Sequence, residues 1–322
     1  MPVNFAHLTV HYTINNRLAY GEIIMLINDI VEFCNSEYRN ADTTHLCRDC
    51  NHPSECSGSC KNCLEQVHYP SKYPNGKKDY DCDNMINFYV CDYINKYASE
   101  MLYLLRKSEK LKEIDEYHIL SIGCGAAPDL MAFEQYAHET EDIKDIRYFG
   151  VDVNPRWRLI HDRIMSYDSI FINHVEFDYK DAIKYFNEES LIDTNVIVLQ
   201  YVISHFYNTG QISIVRQFFS DLIKNVIETR KKDDPFIILI NDVNSCNRGR
   251  NFFEDLVKAL IRHNYHGHCG CYYFDYRIQN DFQRYGDKHP SNNTLFDLSE
   301  YDLEIYEPWK VCSSAQMLIE IE

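Results

Sequence analysis

Ile119-Leu-Ser-Ile-Gly123-Cys-Gly125-Ala-Ala-Pro128-Asp129 is an apolar run that breaks into two glycines and then into a proline and an acid suited to begin a helix. Glycine is needed at such a break, because the backbone must turn tightly and come close to a ligand that a Cβ would block. The stretch predicts a strand, a ligand-binding turn and a helix, the opening unit of an α/β sheet.

Outward from it, short apolar runs alternate with amphipathic stretches. His118–Gly123, Arg147–Asp152, Ile170–Phe177, Val196–Tyr201 and Phe236–Asn241 read as strands with helices between them, which predicts a parallel sheet. Cys269–Tyr273 and Gln316–Ile321 follow without a helical crossover, and they are expected to pair as a terminal antiparallel hairpin. The expected fold is thus α/β, a seven-stranded, mostly parallel Rossmann-like sheet. The polar stretch from Gln279 to Leu298 reads as a long loop near the site.

A second motif gives the glycine turn its weight. Tyr148-Phe-Gly-Val-Asp152-Val-Asn154-Pro155 is a strand ending in an acid, placed to accept the hydroxyl hydrogens of a ribose. Together the two resemble motifs I and II of the class I (Rossmann-like) S-adenosylmethionine-dependent methyltransferases, a resemblance that covers about residues 117–322. It implies a cofactor site in which Gly123, Cys124 and Gly125 form the turn and Asp152 and Val153 hold the adenosine ribose. Asp178, closing Val175-Glu-Phe-Asp178, would meet the adenine amino group. Gln200 and Tyr201, in Val196-Ile-Val-Leu-Gln200-Tyr201-Val-Ile-Ser-His205, would lie between cofactor and substrate. Two departures stand out: Ser121 occupies the place of the family's acid, and Ala127 that of a third glycine. The competing reading is a dinucleotide oxidoreductase, but it needs glycine where Pro128 stands and an acid about 20 residues on, and Asp152 is further away.

Methyl transfer displaces a sulfonium that is already electrophilic, so positioning and desolvation suffice and a general base is optional. The Asn/Asp-Pro-Pro-aromatic signature of many amino-group methyltransferases acting on DNA is missing, and so is a Pro-Cys nucleophile for cytosine chemistry. His205 is the candidate base, since imidazole titrates near neutrality, and Tyr201, read as lining the methionine end of the cofactor, is the second catalytic candidate. Asp242 and Asn244, after the fifth strand, either orient a polar substrate group or form a turn.

The first third of the chain reads differently. From Asn16 to about Tyr38, Ile23, Ile24, Ile27, Ile30 and Val31 recur at helical spacing, and a second helix from about Asp83 to Arg106 carries Ile86, Tyr89, Val90, Tyr93, Ile94, Tyr97, Met101 and Leu104 on one face. Between them, residues 44–76 contain five cysteines and almost no aliphatic run. Cys47-x2-Cys50 and Cys60-x2-Cys63 are paired knuckles of the kind that bring four thiolates round a structural zinc, with Cys56 and His45, His52 and His68 nearby. The expectation is a helical, zinc-stapled N-terminal lobe over residues 1–112 and a methyltransferase-like domain over 113–322. The spacing Cys56-x3-Cys60-x2-Cys63 also resembles the radical S-adenosylmethionine iron–sulfur motif. That reading fails on Asn62, where an aromatic residue is usual, and on the absence of a β/α barrel pattern afterwards.

A formal charge of −17 opposes a broad nucleic-acid-binding face, because such affinity comes largely from Lys and Arg. A small-molecule or protein substrate is therefore expected. The runners-up are an RNA methyltransferase that grips its substrate through the cysteine segment, and a non-enzymatic protein that senses the cofactor or binds a partner. With 45% hydrophobic residues, no basic-then-apolar N-terminal segment and no apolar run near the roughly 18 residues of a membrane span, a cytoplasmic, membrane-free protein is expected.

Overall fold

Short runs too even for a helix become strands, and those at the centre of a parallel sheet, here Glu116–Ile122, Val196–Gln200 and Phe236–Val243, are buried on both faces. In the computed structural model, which describes residues 25–41, 59–140, 145–188, 193–229, 235–245, 248–276, 284–298 and 305–322, five such runs form the parallel part of the sheet. They are β1 (Glu116–Ile122), β2 (Asp145–Val151), β3 (Ile172–Asp178), β4 (Val196–Gln200) and β5 (Phe236–Val243), in the order β3-β2-β1-β4-β5. The chain moves outward from β1 to β3, then returns to the other side of β1 for β4. That reversal leaves a crevice beyond the C-terminal ends of β1 and β4, the place where open α/β sheets take their ligands.

The expectation of seven strands requires correction: among the described residues the sheet has eight, and it is mixed. β6 (Gly267–Tyr273) and β8 (Ser314–Ile321) do pair antiparallel, but β8 is inserted between β5 and β6 and runs against both. The eighth strand, β7 (Asp287–Lys288), adds to the outer edge of β6, within the stretch expected to be loop. Two residues offer no period to read, so pairing with β6 alone defines it.

Alternate strand residues face opposite layers. Tyr117, Ile119, Val196, Val198, Ile237 and Leu239 pack under α1 (Leu26–Asn40), α2 (Cys60–His68), α3 (Asp83–Leu105), α4 (Pro128–Thr140) and α5 (Arg158–Met165). Leu120, Ile122, Ile197, Leu199, Ile238 and Ile240 face α6 (Ala182–Glu188), α7 (Val202–Asn208), α8 (Val215–Leu222) and α9 (Phe253–Arg262). The described part of the N-terminal third therefore shares a core with the sheet. The expected start of α1 near Asn16 lies outside the described residues. α3 matches the expected helix to within a residue, but nearly its whole circumference is buried, Asn95, Lys96, Ser99 and Glu100 included, because it packs against α1, α2, α4 and β8 together. Among the described residues no helix is long and apolar enough to cross a membrane.

Candidate active site

The turn after β1 has the geometry its glycines suggest. Gly123 and Gly125 adopt φ of +64° and +51°, and a Cβ on Gly123 would stand 3.0 Å from Val202 Cγ2. Ala127 is also left-handed (φ +53°), so the third position of the loop keeps the glycine-like conformation without the glycine. Asp152, just past the end of β2, is tied to this loop: its Oδ2 accepts from Gly125 N (2.9 Å) and its Oδ1 from Asn154 N (2.9 Å). The residue is half-buried. Burial pushes its carboxyl up to about 6, against the pull of the two N–H donors. Each oxygen retains a lone pair, the arrangement needed to accept a pair of ribose hydroxyls.

Two residues that sequence reasoning missed hold this loop. His161 Nε2 lies 2.6 Å from Gly125 O, its Nδ1 lies 2.9 Å from Tyr179 Oη, and its ring stacks on Phe177 at 3.7 Å. A carbonyl only accepts, so Nε2 carries the hydrogen and Nδ1 receives the tyrosine hydroxyl. Burial holds the imidazole down at about 4, neutral under ordinary conditions. Asp129, at the start of α4, accepts from Tyr148 Oη (3.0 Å) and hydrogen-bonds Ser121. Burial raises the Asp129 carboxyl to about 6.

At the end of β4 a second cluster forms. Gln200 Nε2 donates to Tyr97 O (2.9 Å), while its Oε1 is buried without a partner among the described residues. Tyr201 is left-handed (φ +59°), which turns its ring into the crevice against Tyr97 at 4.5 Å. Its hydroxyl donates to Glu100 Oε2 (2.7 Å) and accepts from Lys96 Nζ (3.3 Å). Burial, then Glu100, push this phenol well above its usual range. Fully buried Glu100 also receives Asn241 Nδ2 (3.1 Å) and Ser313 N (2.8 Å). Between Asp152 and Tyr201 runs an aromatic wall. Tyr89, Tyr93 and Tyr97, one turn apart on α3, stack at 5.4 and 5.5 Å, with Tyr80 and Trp157 at one end and Trp309 beside Tyr93. Asn154 Nδ2 donates to Tyr80 O (2.8 Å), fastening the wall to the loop beyond β2.

Of the other residues read from the sequence, Cys124 is buried, and burial lifts its thiol far above its usual range, so its part in the loop is its backbone and its packing. Val153 is exposed next to Asp152. Asp178 lies at the end of β3, its Oδ2 paired with Lys180 Nζ (3.1 Å) and its carbonyl accepting from Asp152 N (3.0 Å). His205 follows Tyr201 by one turn, exposed, with no hydrogen bond to its ring among the described residues; desolvation by its neighbours lowers its imidazole, opposed by Asp79. The two do not form a hydrogen-bonded pair. Asp242 caps α7 instead of facing the crevice, accepting from Ile203 N (2.9 Å) and Ser204 N (3.1 Å), and Asn244 accepts from Arg250.

Cys60 and Cys63 are buried one turn apart on α2, whereas Cys47, Cys50 and Cys56, like His45 and His52, lie outside the described residues. No cluster of three or more His, Cys, Asp or Glu suited to a metal occurs among the described residues. His68 belongs to the aromatic wall, with Nε2 3.0 Å from Tyr80 Oη and its imidazole held at about 4 by burial.

No protein-family profile matches the chain, and no curated protein does. Among solved structures it is similar to a putative class I S-adenosylmethionine-dependent methyltransferase from Listeria monocytogenes, at 12% identity over 92% of this chain and 88% of that one, with a TM-score of 0.43. It is similar also to a SAM-dependent methyltransferase from Archaeoglobus fulgidus (16% identity, 69% and 92% covered, TM-score 0.37). A third is the plantazolicin methyltransferase BpumL in complex with SAH (14% identity, 91% and 99% covered, TM-score 0.39). Superpositions this loose carry nothing about activity, which has to be argued from the chain's own residues.

Proposed function

We propose that the chain is an S-adenosylmethionine-dependent methyltransferase acting on a small-molecule or protein acceptor. The observation that carries this is Asp152: a carboxylate at the end of β2, locked to a left-handed glycine loop at the switch point of the sheet, with lone pairs left over. The orphaned acceptor Gln200 Oε1, across the crevice, fits a group that brings its own donor. Gly123, Cys124, Gly125, Asp152, Val153 and Asp178 would hold the adenosine, and Gln200 and Tyr201 the methionine end. When bound, S-adenosylmethionine supplies an electrophilic methyl group. Tyr201, kept a neutral phenol by burial and by Glu100, orients the acceptor by hydrogen bonding. His205, with its lone pair uncommitted and its imidazole kept neutral, is the side chain suited to take a proton from the acceptor. The aromatic wall excludes water from the path of transfer.

Calorimetry with S-adenosylmethionine, S-adenosylhomocysteine and NAD tests the cofactor. Micromolar or tighter affinity for the first two and none for NAD is expected, and no heat with either sulfur compound would sink the assignment. A labelled methyl donor offered to metabolite extract, protein extract and total RNA then tests the acceptor. Transfer mainly to RNA would favour the nucleic-acid enzyme, and binding without transfer in any pool a sensor. We further infer that Cys60 and Cys63, buried on one face of α2, complete a structural zinc site with Cys47, Cys50 and Cys56 as the remaining candidates. Elemental analysis of the purified protein should find about one zinc per chain; iron with sulfide would overturn it.

A further inference from the structure

The cluster beyond β4 contains a buried charge that the chain itself leaves poorly matched. Lys96, on α3, is 6% exposed, and its Nζ stands 5.0, 5.5 and 5.4 Å from the ring centres of Tyr97, Tyr201 and Trp309. An ammonium has three donors, and a charge-assisted bond to a carboxylate is about 2.7–2.9 Å long. Among the described residues the only contact of hydrogen-bond length is Tyr201 Oη at 3.3 Å; Glu100 Oε1 lies at 3.6 Å. Glu100 is already served by Tyr201, Asn241 and Ser313, so it does not depend on the lysine. Asp92, one turn earlier on α3, has its carboxyl pushed up to about 7 by burial and is only a partial counter-charge at neutral pH. Two donors of a buried cation therefore lack a close acceptor among the described residues, in a setting where buried charges are normally paired. An aromatic cage of this kind would suit a cationic ligand, but the chain's own ammonium fills it and would repel a second one.

Resting on the reading of the crevice as a methyl-transfer site, we propose that Lys96 is the anion receptor of the acceptor subsite and that the acceptor is a flat, acidic compound, an aromatic or heteroaromatic ring bearing a carboxylate. Beyond α3 itself, the described neighbours of the Lys96 ammonium are Tyr201, just past β4, and Trp309, in the segment before β8; β4 is separated from β2 by β1 in the sheet, so the adenosine at Asp152 does not compete for it. Tyr93, Tyr97, Tyr201 and Trp309 supply the flat walls.

Benzoate, benzamide and benzamidine are flat, nearly isosteric probes of charge −1, 0 and +1. Titrated by NMR into the full chain saturated with S-adenosylhomocysteine, benzoate should bind at least tenfold more tightly than benzamide, and benzamidine more weakly than either. Lys96→Met should bring benzoate level with benzamide while leaving affinity for S-adenosylhomocysteine unchanged; Lys96→Arg should keep the preference for benzoate. Equal affinity for all three probes, no binding of benzoate, or a benzoate preference that survives Lys96→Met would overturn the proposal. So would a Lys96→Met protein that loses S-adenosylhomocysteine but not benzoate, since the lysine would then serve the cofactor. The wild-type series is informative even where a variant fails to fold. Failure of S-adenosylhomocysteine to bind at all would count against the transferase reading, and the same titration without it still reads the charge preference.

Discussion

Replacing Asp152 by alanine, and varying pH around it, probes the site where stability and binding are opposed. Burial raises this carboxyl from 3.8 to about 6. That displacement of roughly two pH units is worth roughly 3 kcal/mol. The sign is that of a folded-state value lying above the unfolded one: the stabilisation is full below 3.8 and is lost as pH rises through about 6. At neutral pH the free protein thus carries a carboxylate it would rather see protonated. A ligand that donates two hydroxyls to it relieves that cost, with charge-assisted bonds of about 1.5–3 kcal/mol each. Affinity for S-adenosylhomocysteine should therefore be flat from pH 8 to 7 and fall about tenfold by pH 5 as the acid is protonated. Asp152→Ala should lose about 3–6 kcal/mol of binding free energy and with it the pH dependence. Isothermal calorimetry across this range, in buffers of different ionisation enthalpy, reads both the affinity and the proton released near pH 6. A dissociation constant unchanged between pH 8 and 5, or a slope that survives in Asp152→Ala, would refute the reasoning.

Stability on the acid side should follow the opposite group of residues. His68, His161 and His289 are each held at about 4 by burial, so the stability they confer is present above 6.5 and is lost as pH falls toward 4; urea titrations from pH 7 to 4.5 should show the decline, and His161→Phe should soften it. At pH 7.5 the same His161→Phe should cost about 1–3 kcal/mol, since it keeps the stack on Phe177 but strands Gly125 O and Tyr179 Oη. An unchanged urea midpoint there would contradict the role given to His161. Gly150→Ala would put a methyl 2.7 Å from Phe177 Cδ1 and 2.8 Å from Cys124 Sγ, and overpacking of about 1–3 kcal/mol should appear together with weakened cofactor affinity. Glu100→Ala leaves Tyr201 Oη, Asn241 Nδ2 and Ser313 N without their acceptor and removes the carboxylate that stands 3.6 Å from Lys96, for a loss of about 3–5 kcal/mol in thermal or chemical denaturation.

The parts of this molecule that could be read from the sequence are those whose physics is local. β1, β4 and β5 are apolar runs and β2 an alternating one, the turn after β1 needs its glycines within a few residues, and Asp152 follows directly on its own strand, so each carries its signal in a short window. Glu100, Lys96 and His161 carry none. Glu100 meets partners 101, 141 and 213 residues away, and His161 reaches back 36 residues to Gly125. On α3 the tyrosines and aliphatics mark one face, which leaves Asn95, Lys96, Ser99 and Glu100 looking like the solvent side of an amphipathic helix. They are buried because the segment before β8 crosses them: Trp309 N donates to Asp92 O, Asn95 Nδ2 to Trp309 O, and Ser313 N bonds Glu100. Hydrophobic periodicity reports which face of a helix meets the first layer it packs on. It is silent about a second, polar layer assembled from the far end of the chain, and here that layer stands over the end of β4, where Tyr201 turns into the crevice. A buried carboxylate among three donors and a lysine among three rings are costly to keep in a core that apolar residues would fill. Both stand at one end of the crevice, over a sheet whose two faces are packed mainly by apolar side chains, and that concentration of cost is the mark expected of a site and not of a scaffold.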